Sequence, residues 1–113
     1  MHELGVVMNI VENVVDFAQA NNVTQIETLV LQIGELSAVI PAYVESCYPA
    51  AVDGTMMQDT KLQIEVLPAN ALCRSCEEVF GLMAANGVCP HCGGKDCETI
   101  SGKELMIKEI VAC

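Results

Sequence analysis

The chain has 113 residues, seven of them cysteine, and sets 15 acidic side chains against 5 basic ones for a formal charge of −10. Hydrophobic residues make up 52% and aromatics 4%, with no tryptophan, so the core must come from Val, Ile, Leu, Met and Ala. This length fits one compact domain, or one domain carrying a small stapled module, and the charge excludes nucleic acid because no basic stripe can displace counterions from phosphates.

The charge is uneven along the chain. Residues 1–60 hold eight acids and no Lys or Arg, and Lys61 is the first base. Such a half suits a cation or a basic partner, and equally a solvated surface. A secretory signal needs a positive n-region and transit peptides are Arg-rich; Met1-His2-Glu3-Leu4-Gly5 offers neither. No apolar run approaches the roughly 18 residues that span a bilayer. The expectation is a cytoplasmic protein without membrane contact and with reduced thiols. An odd cysteine count there points to metal or redox chemistry before a disulfide framework.

In chain order, Leu4, Val7, Met8, Val11, Val14, Val15 and Ala18 follow the i, i+3, i+4 spacing of one buried helix face, ending near Asn21-Asn22. Thr24 to Ile33 reads as a strand in which Leu29, Leu31 and Ile33 alternate with Thr28, Val30 and Gln32, and Gly34 breaks it. A second helix starts near Pro41, a residue suited to a first turn. Pro49 kinks or ends it, and Asp53-Gly54 closes the region as a turn. Lys61 to Leu67 alternates as a half-buried strand with Leu62, Ile64 and Val66 inward.

Composition changes at Pro68, where cysteines, glycines and small residues take over up to Gly102. A β-like pattern returns from Lys103 to Val111 and rejoins the first sheet. The fold class expected is α+β: two helices packed on a small three-stranded sheet, with an inserted zinc-ribbon-like module built on four cysteines. Its division is an α+β domain over 1–67, completed by a strand over 103–113, and a module over 68–102.

Inside the module, Cys73-Arg74-Ser75-Cys76 and Cys89-Pro90-His91-Cys92 are two Cys-x-x-Cys pairs. Each can turn a tight knuckle, and two knuckles place four thiolates at the corners of a tetrahedron, which suits Zn²⁺ at Zn–S distances of about 2.3 Å. Gly93-Gly94 permits the close turn after the second pair. Local disulfides or a thioredoxin-like redox pair are the competing readings. The doubling of the motif and the absence of a preceding βαβ unit favour zinc. A closed shell of four cysteines has no open position for catalysis, so the zinc is read as structural, and it would supply the folding energy of a stretch too small for its own core. His91 is read as solvent-facing, with an alternate ligand role as the sharper possibility. Cys97 is a candidate to exchange into the shell, Cys47 reads as a small apolar residue of the second helix, and Cys113 as uninvolved.

Met1-His2-Glu3 offers a second set of donors. The α-amine, a backbone amide nitrogen that can deprotonate against a metal, the His2 imidazole and the Glu3 amide can place four nitrogens in a plane, a geometry that favours Ni²⁺ or Cu²⁺ over Zn²⁺. Any chain beginning Met-His has these atoms, and an unremarkable exposed terminus fits them too.

The two sets occur together with further motifs. Met1-His2-Glu3-Leu4, Ile33-Gly34-Glu35-Leu36-Ser37, the two Cys-x-x-Cys pairs including Cys89-Pro90-His91-Cys92-Gly93, and Gly102-Lys103-Glu104-Leu105 through Ile107-Lys108 recur in that order. In this the chain resembles the HypA/HybF family of hydrogenase maturation nickel chaperones over essentially its whole length. The resemblance implies nickel held at Met1, His2 and Glu3, zinc held by Cys73, Cys76, Cys89 and Cys92, and delivery of Ni²⁺ to a [NiFe]-hydrogenase large-subunit precursor together with a GTPase of the same pathway. It extends in some members to urease.

No nucleophile–base pair, Gly-rich phosphate loop or paired-carboxylate motif is present, so a non-enzyme is expected. A zinc-ribbon scaffold without nickel delivery is the alternative, and a thiol oxidoreductase, which needs an exposed cysteine of low pKa, is a third reading.

Overall fold

The structure, a computed structural model, describes residues 3–112; Met1, His2 and Cys113 lie outside the described residues. Helix α1 (Glu3–Ala20) leads to strand β1 (Ile26–Gly34), helix α2 (Pro41–Val52) and strand β2 (Lys61–Leu67). Three short strands follow, β3 (Asn70–Cys73), β4 (Val79–Gly81) and β5 (Cys97–Ser101), and β6 (Leu105–Ala112) closes the fold. They form two three-stranded sheets, one ordered β2-β1-β6 and the other β4-β3-β5. Two helices and small sheets make this an α+β protein. Among the described residues no helix is long and apolar enough to cross a membrane.

Strand β1 pairs parallel with β2 and antiparallel with β6. A parallel pair needs a crossover, and α2 supplies it, so a β1-α2-β2 unit precedes the first cysteine pair. This corrects the expectation that no such unit is present. The thioredoxin-like reading gains nothing from it, because the cysteines belong to the other sheet.

The helix layer packs on one face of the first sheet. Val7, Ile10, Val11, Val14 and Ala18 of α1 meet Leu29, Leu31, Ile33, Val44 and Val52 in the main core. The stripe sits slightly off the expected one: Ile10 is buried, whereas Leu4 and Met8 are exposed. Val30 is buried as well, against a simple alternation. It stands on the open face of the central strand, flanked in register by Gln63 and Glu109, so neighbours on both sides screen it. Val66, expected inward, is 56% exposed because the helix layer covers Leu62 and Ile64 but stops short of it.

Pro49 neither ends nor opens α2, which continues to Val52; it has no N–H to offer the Glu45 carbonyl. The Tyr48 hydroxyl, one position earlier, donates to the Thr60 carbonyl at 3.0 Å, and the Thr60 hydroxyl donates to the Ile26 carbonyl at 2.7 Å. Burial pushes the Tyr48 phenol up to about 12, so it stays a donor. This chain ties α2 to the ends of β1 and β2.

The two sheets meet where backbones touch. Gly34 N–H donates to the Glu104 carbonyl, Glu35 N–H to that of Leu67 and Leu36 N–H to that of Gly102, at 2.7 to 2.8 Å. A Cβ on Gly34 would fall on the Gly102 carbonyl group, and one on Gly102 would fall on Ala69. Gly102 also has φ +95, a conformation that side chains resist. The Glu35 carboxylate closes the junction by accepting from the Ala69 N–H at 2.9 Å.

Since only backbone could yield, Gly34→Ala and Gly102→Ala are each expected to destabilise by about 2–4 kcal/mol. Gly5→Ala, in an open helix position, should be neutral or gain up to about 1 kcal/mol. Thermal melts of the three variants against wild type check this, and equal melting temperatures would rule out the close approach.

Candidate metal centre

Strand β3 ends at Cys73, and the chain then turns back on itself. Glu77 N–H donates to the Cys73 carbonyl at 2.8 Å, and Cys73 N–H donates to that of Glu78 at 2.9 Å. The second pair repeats the arrangement: Gly93 N–H donates to the Cys89 carbonyl at 2.8 Å and Cys89 N–H to that of Gly94 at 2.9 Å. The residue after each pair takes a left-handed conformation, φ 63 at Glu77 and 74 at Gly93. Glycine takes this readily; at Glu77 the two flanking hydrogen bonds hold it. Gly94 keeps a gap open beside the sulfurs, since a Cβ there would lie 3.3 Å from Cys92 Sγ and 3.6 Å from Cys73 Sγ.

These two knuckles bring the four sulfurs of Cys73, Cys76, Cys89 and Cys92 within 4.8 Å of one another. Cys73 and Cys92 are 3.5 Å apart, and Cys76 and Cys89 3.6 Å. A tetrahedron with Zn–S bonds of about 2.3 Å has sulfur–sulfur edges of about 3.8 Å, and these two spacings fall just short of it. Among the described residues this is the one such group of three or more metal-ligand side chains. His91 is exposed and outside it, and Cys97 is half-buried and outside it as well.

The thiols are unequal. Backbone N–H groups of Cys76 and then Ser75 point at Cys73 Sγ and lower it to about 6. At Cys76 the Glu78 amide pulls downward, but burial and the thiols of Cys89, Cys92 and Cys73 outweigh it and push the group up to about 12. At Cys92 the Gly94 amide also lowers, while Cys73, burial and Cys89 carry the net shift upward. Cys73 therefore gives up its proton most readily, while the crowded sulfurs of Cys76 and Cys92 hold theirs. A divalent cation is what allows all four to ionise together.

Little else holds this sheet. Its buried residues are Ala71, Cys73, Phe80 and Cys89, with Cys76, Leu82, Ala85 and Cys97 packed against them, so half of that small core is cysteine. An exposed Arg74–Asp96 pair at 2.8 Å links the first knuckle to the start of β5 and adds little.

Of the residues expected to hold nickel, Met1 and His2 lie outside the described residues, and Glu3 opens α1. At the head of a helix the Glu3 amide has no acceptor four residues earlier within the helix, and its carboxylate favours the positive helix end. Glu35 is exposed, yet its carboxylate ties the two sheets together. A lone acid beside a glycine gives no signal of that role; it depends on a backbone 34 positions away.

Comparison with known proteins draws the two halves together. Residues 1–112 match the family model described as HypA, hydrogenase/urease nickel incorporation, metallochaperone. The hydrogenase maturation factor HypA of Nostoc sp. is 40% identical over 110 residues, covering 97% of this chain and 94% of that protein. The factor of the same name from Geotalea uraniireducens is 36% identical, covering 97% of both. The solution structure of the Ni metallochaperone HypA from Helicobacter pylori superimposes with a TM-score of 0.70 at 27% identity, over 99% of this chain and 97% of that one. A second solution structure of a HypA protein gives 0.76 at 27% identity, over 100% and 97%.

Proposed function

The chain belongs to the HypA family of nickel-incorporation metallochaperones, and on this basis we propose that it binds Ni(II) at its amino terminus and delivers it for [NiFe]-hydrogenase maturation. Membership makes it a maturation factor of the hydrogenase pathway and not an enzyme. The proposed nickel donors are the Met1 α-amine, the His2 imidazole and the backbone nitrogens up to Glu3. Zinc is proposed at Cys73, Cys76, Cys89 and Cys92, in a structural role. The α+β part, 1–67 with 103–113, would carry the cargo and 68–102 the zinc.

The observation that carries this reading is the whole-chain match to a nickel-incorporation family by a sequence that begins Met1-His2-Glu3. The chemistry agrees with it. Planar nitrogen ligation suits Ni²⁺ or Cu²⁺ over Zn²⁺, tetrahedral thiolate ligation suits Zn²⁺, and the family match points to nickel as the cargo of the first set. A chain end can also be approached by a second protein and its ligands exchanged one at a time. The proposed receivers are a nickel-pathway GTPase and the hydrogenase large-subunit precursor, with urease as a further destination, all in the cytoplasm.

The four-thiol centre by itself would equally serve a zinc-ribbon scaffold that carries no nickel. A two-residue Gly-Ser extension before Met1 separates the two. It buries the α-amine in a peptide bond and shifts the imidazole along the chain, so nickel titration of the extended protein should show binding lost, with zinc content unchanged. Undiminished nickel binding would leave the scaffold reading standing.

A further inference from the structure

Cys97 is five residues beyond the last cysteine of the cluster in sequence, but in space it faces the first. Strands β3 and β5 are antiparallel, and their register sets Cys73 opposite Cys97. The type of pair can be read from the backbone. Cys73 N–H donates to the Glu78 carbonyl and the Cys73 carbonyl accepts from Glu77, so both its polar groups turn away from β5. The next residue, Arg74, is the one that bonds across, its N–H donating to the Asp96 carbonyl at 3.0 Å. Cys73 and Cys97 are therefore a non-hydrogen-bonded pair, the closer kind, with Cα atoms about 4.5 Å apart and side chains on one face. That falls inside the window of about 4.4–6.8 Å that a disulfide requires.

Packing agrees. Cys97 lies against the cluster of Ala71, Cys73, Phe80 and Cys89. It is half-buried, whereas Cys73 is fully buried, so Cys97 is the more accessible residue of the pair.

We propose that Cys97 is an oxidation site whose sulfenic acid is resolved by Cys73, so that a cross-strand disulfide removes one thiolate from the metal centre. The steps balance with a hydroperoxide as oxidant. The Cys97 sulfur attacks one peroxide oxygen, the O–O bond breaks, and with hydrogen peroxide one water leaves. The Cys73 thiolate then attacks the Cys97 sulfur, forming the S–S bond and expelling hydroxide. Two electrons pass from the two sulfurs to the peroxide. A centre left with Cys76, Cys89 and Cys92 loses its closed shell and releases its cation. Metal release rests on the zinc reading above; the disulfide does not.

The test uses the full-length protein with its zinc content measured first, treated with one equivalent of hydrogen peroxide. Linked peptides are identified by mass spectrometry while a chromophoric chelator follows zinc release. The expected linkage is Cys73 to Cys97, with release slowed at least about tenfold in Cys97→Val, a substitution that a strand accepts. Cys97→Ser serves as the second variant should the valine alter zinc content. A linkage confined to the four cluster cysteines, where Cys73 and Cys92 are already 3.5 Å apart, overturns the proposal. So does an unchanged release rate in both variants. If the purified protein holds no zinc, peptide mapping alone still decides the disulfide, and it is the zinc reading that fails.

Discussion

Replacing Cys89 with Ser, or stripping the metal with a chelator, is expected to melt the β4-β3-β5 sheet while the helices and the β2-β1-β6 sheet stay folded. Magnitudes decide this. Structural zinc supplies about 10–16 kcal/mol of apparent binding free energy in comparable small modules. The buried part of the second sheet is Ala71, Cys73, Phe80 and Cys89, of which only the Phe80 side chain is large. Burying it contributes about 1.5–3 kcal/mol. So small a core cannot by itself offset the backbone entropy lost when the stretch around it is ordered. Cys89 is the sharper position because it is buried, so its replacement leaves a hydroxyl without its metal partner.

The main core survives because none of its buried members comes from 70–101. In a two-dimensional amide spectrum, signals from 70–101 should collapse to narrow dispersion with those from 3–67 nearly unmoved. Dispersed module signals in the metal-free variant would show that the sheet holds itself together and would end the structural role of the metal.

The second large effect concerns cargo. His2→Ala removes the one side-chain nitrogen of the proposed nickel set, and affinity for Ni²⁺ should fall by more than the 10–100-fold, roughly, that loss of a mere outer-shell partner costs. Zinc content should not change, since His2 contributes nothing to a sulfur shell. The pH dependence follows with a definite sign. An amine and an imidazole must shed protons to bind, so nickel affinity declines as the pH falls.

Much of this was written locally in the chain, and the rest was not, for reasons that can be named. The Cys-x-x-Cys pairs were legible because a knuckle is a local turn with a fixed spacing. Pro41 announced α2 and the alternation of Lys61 to Leu67 announced β2, since both signals act within a few residues. The parallel pairing of β1 with β2 was not legible, because alternation says which residues share a face but not which strand lies alongside. Val66 and Met8 have the right spacing to be buried and are exposed, because the extent of the opposing layer decides burial. The junction of Gly34, Gly102 and Ala69 joins residues far apart in sequence. Glu35 and Cys97 drew their roles from such distant neighbours as well, Ala69 for one and Cys73 for the other.

The acidity of the first sixty residues also has a fuller meaning within this fold. Helix α1 carries Glu3, Glu12 and Asp16 and no base, so its exposed face is acidic along its length. Acidity of this kind names no metal by itself.

The most direct test is the metal content and absorption spectrum of the untagged protein, beside those of His2→Ala, after each is supplied with one equivalent of Ni²⁺. Zinc is expected in both at the same level. A band of planar nitrogen-ligated nickel is expected in the wild type and should vanish in the variant. A nickel band that survives His2→Ala, or one that disappears only when the zinc cysteines are replaced, would contradict nickel binding at the amino terminus.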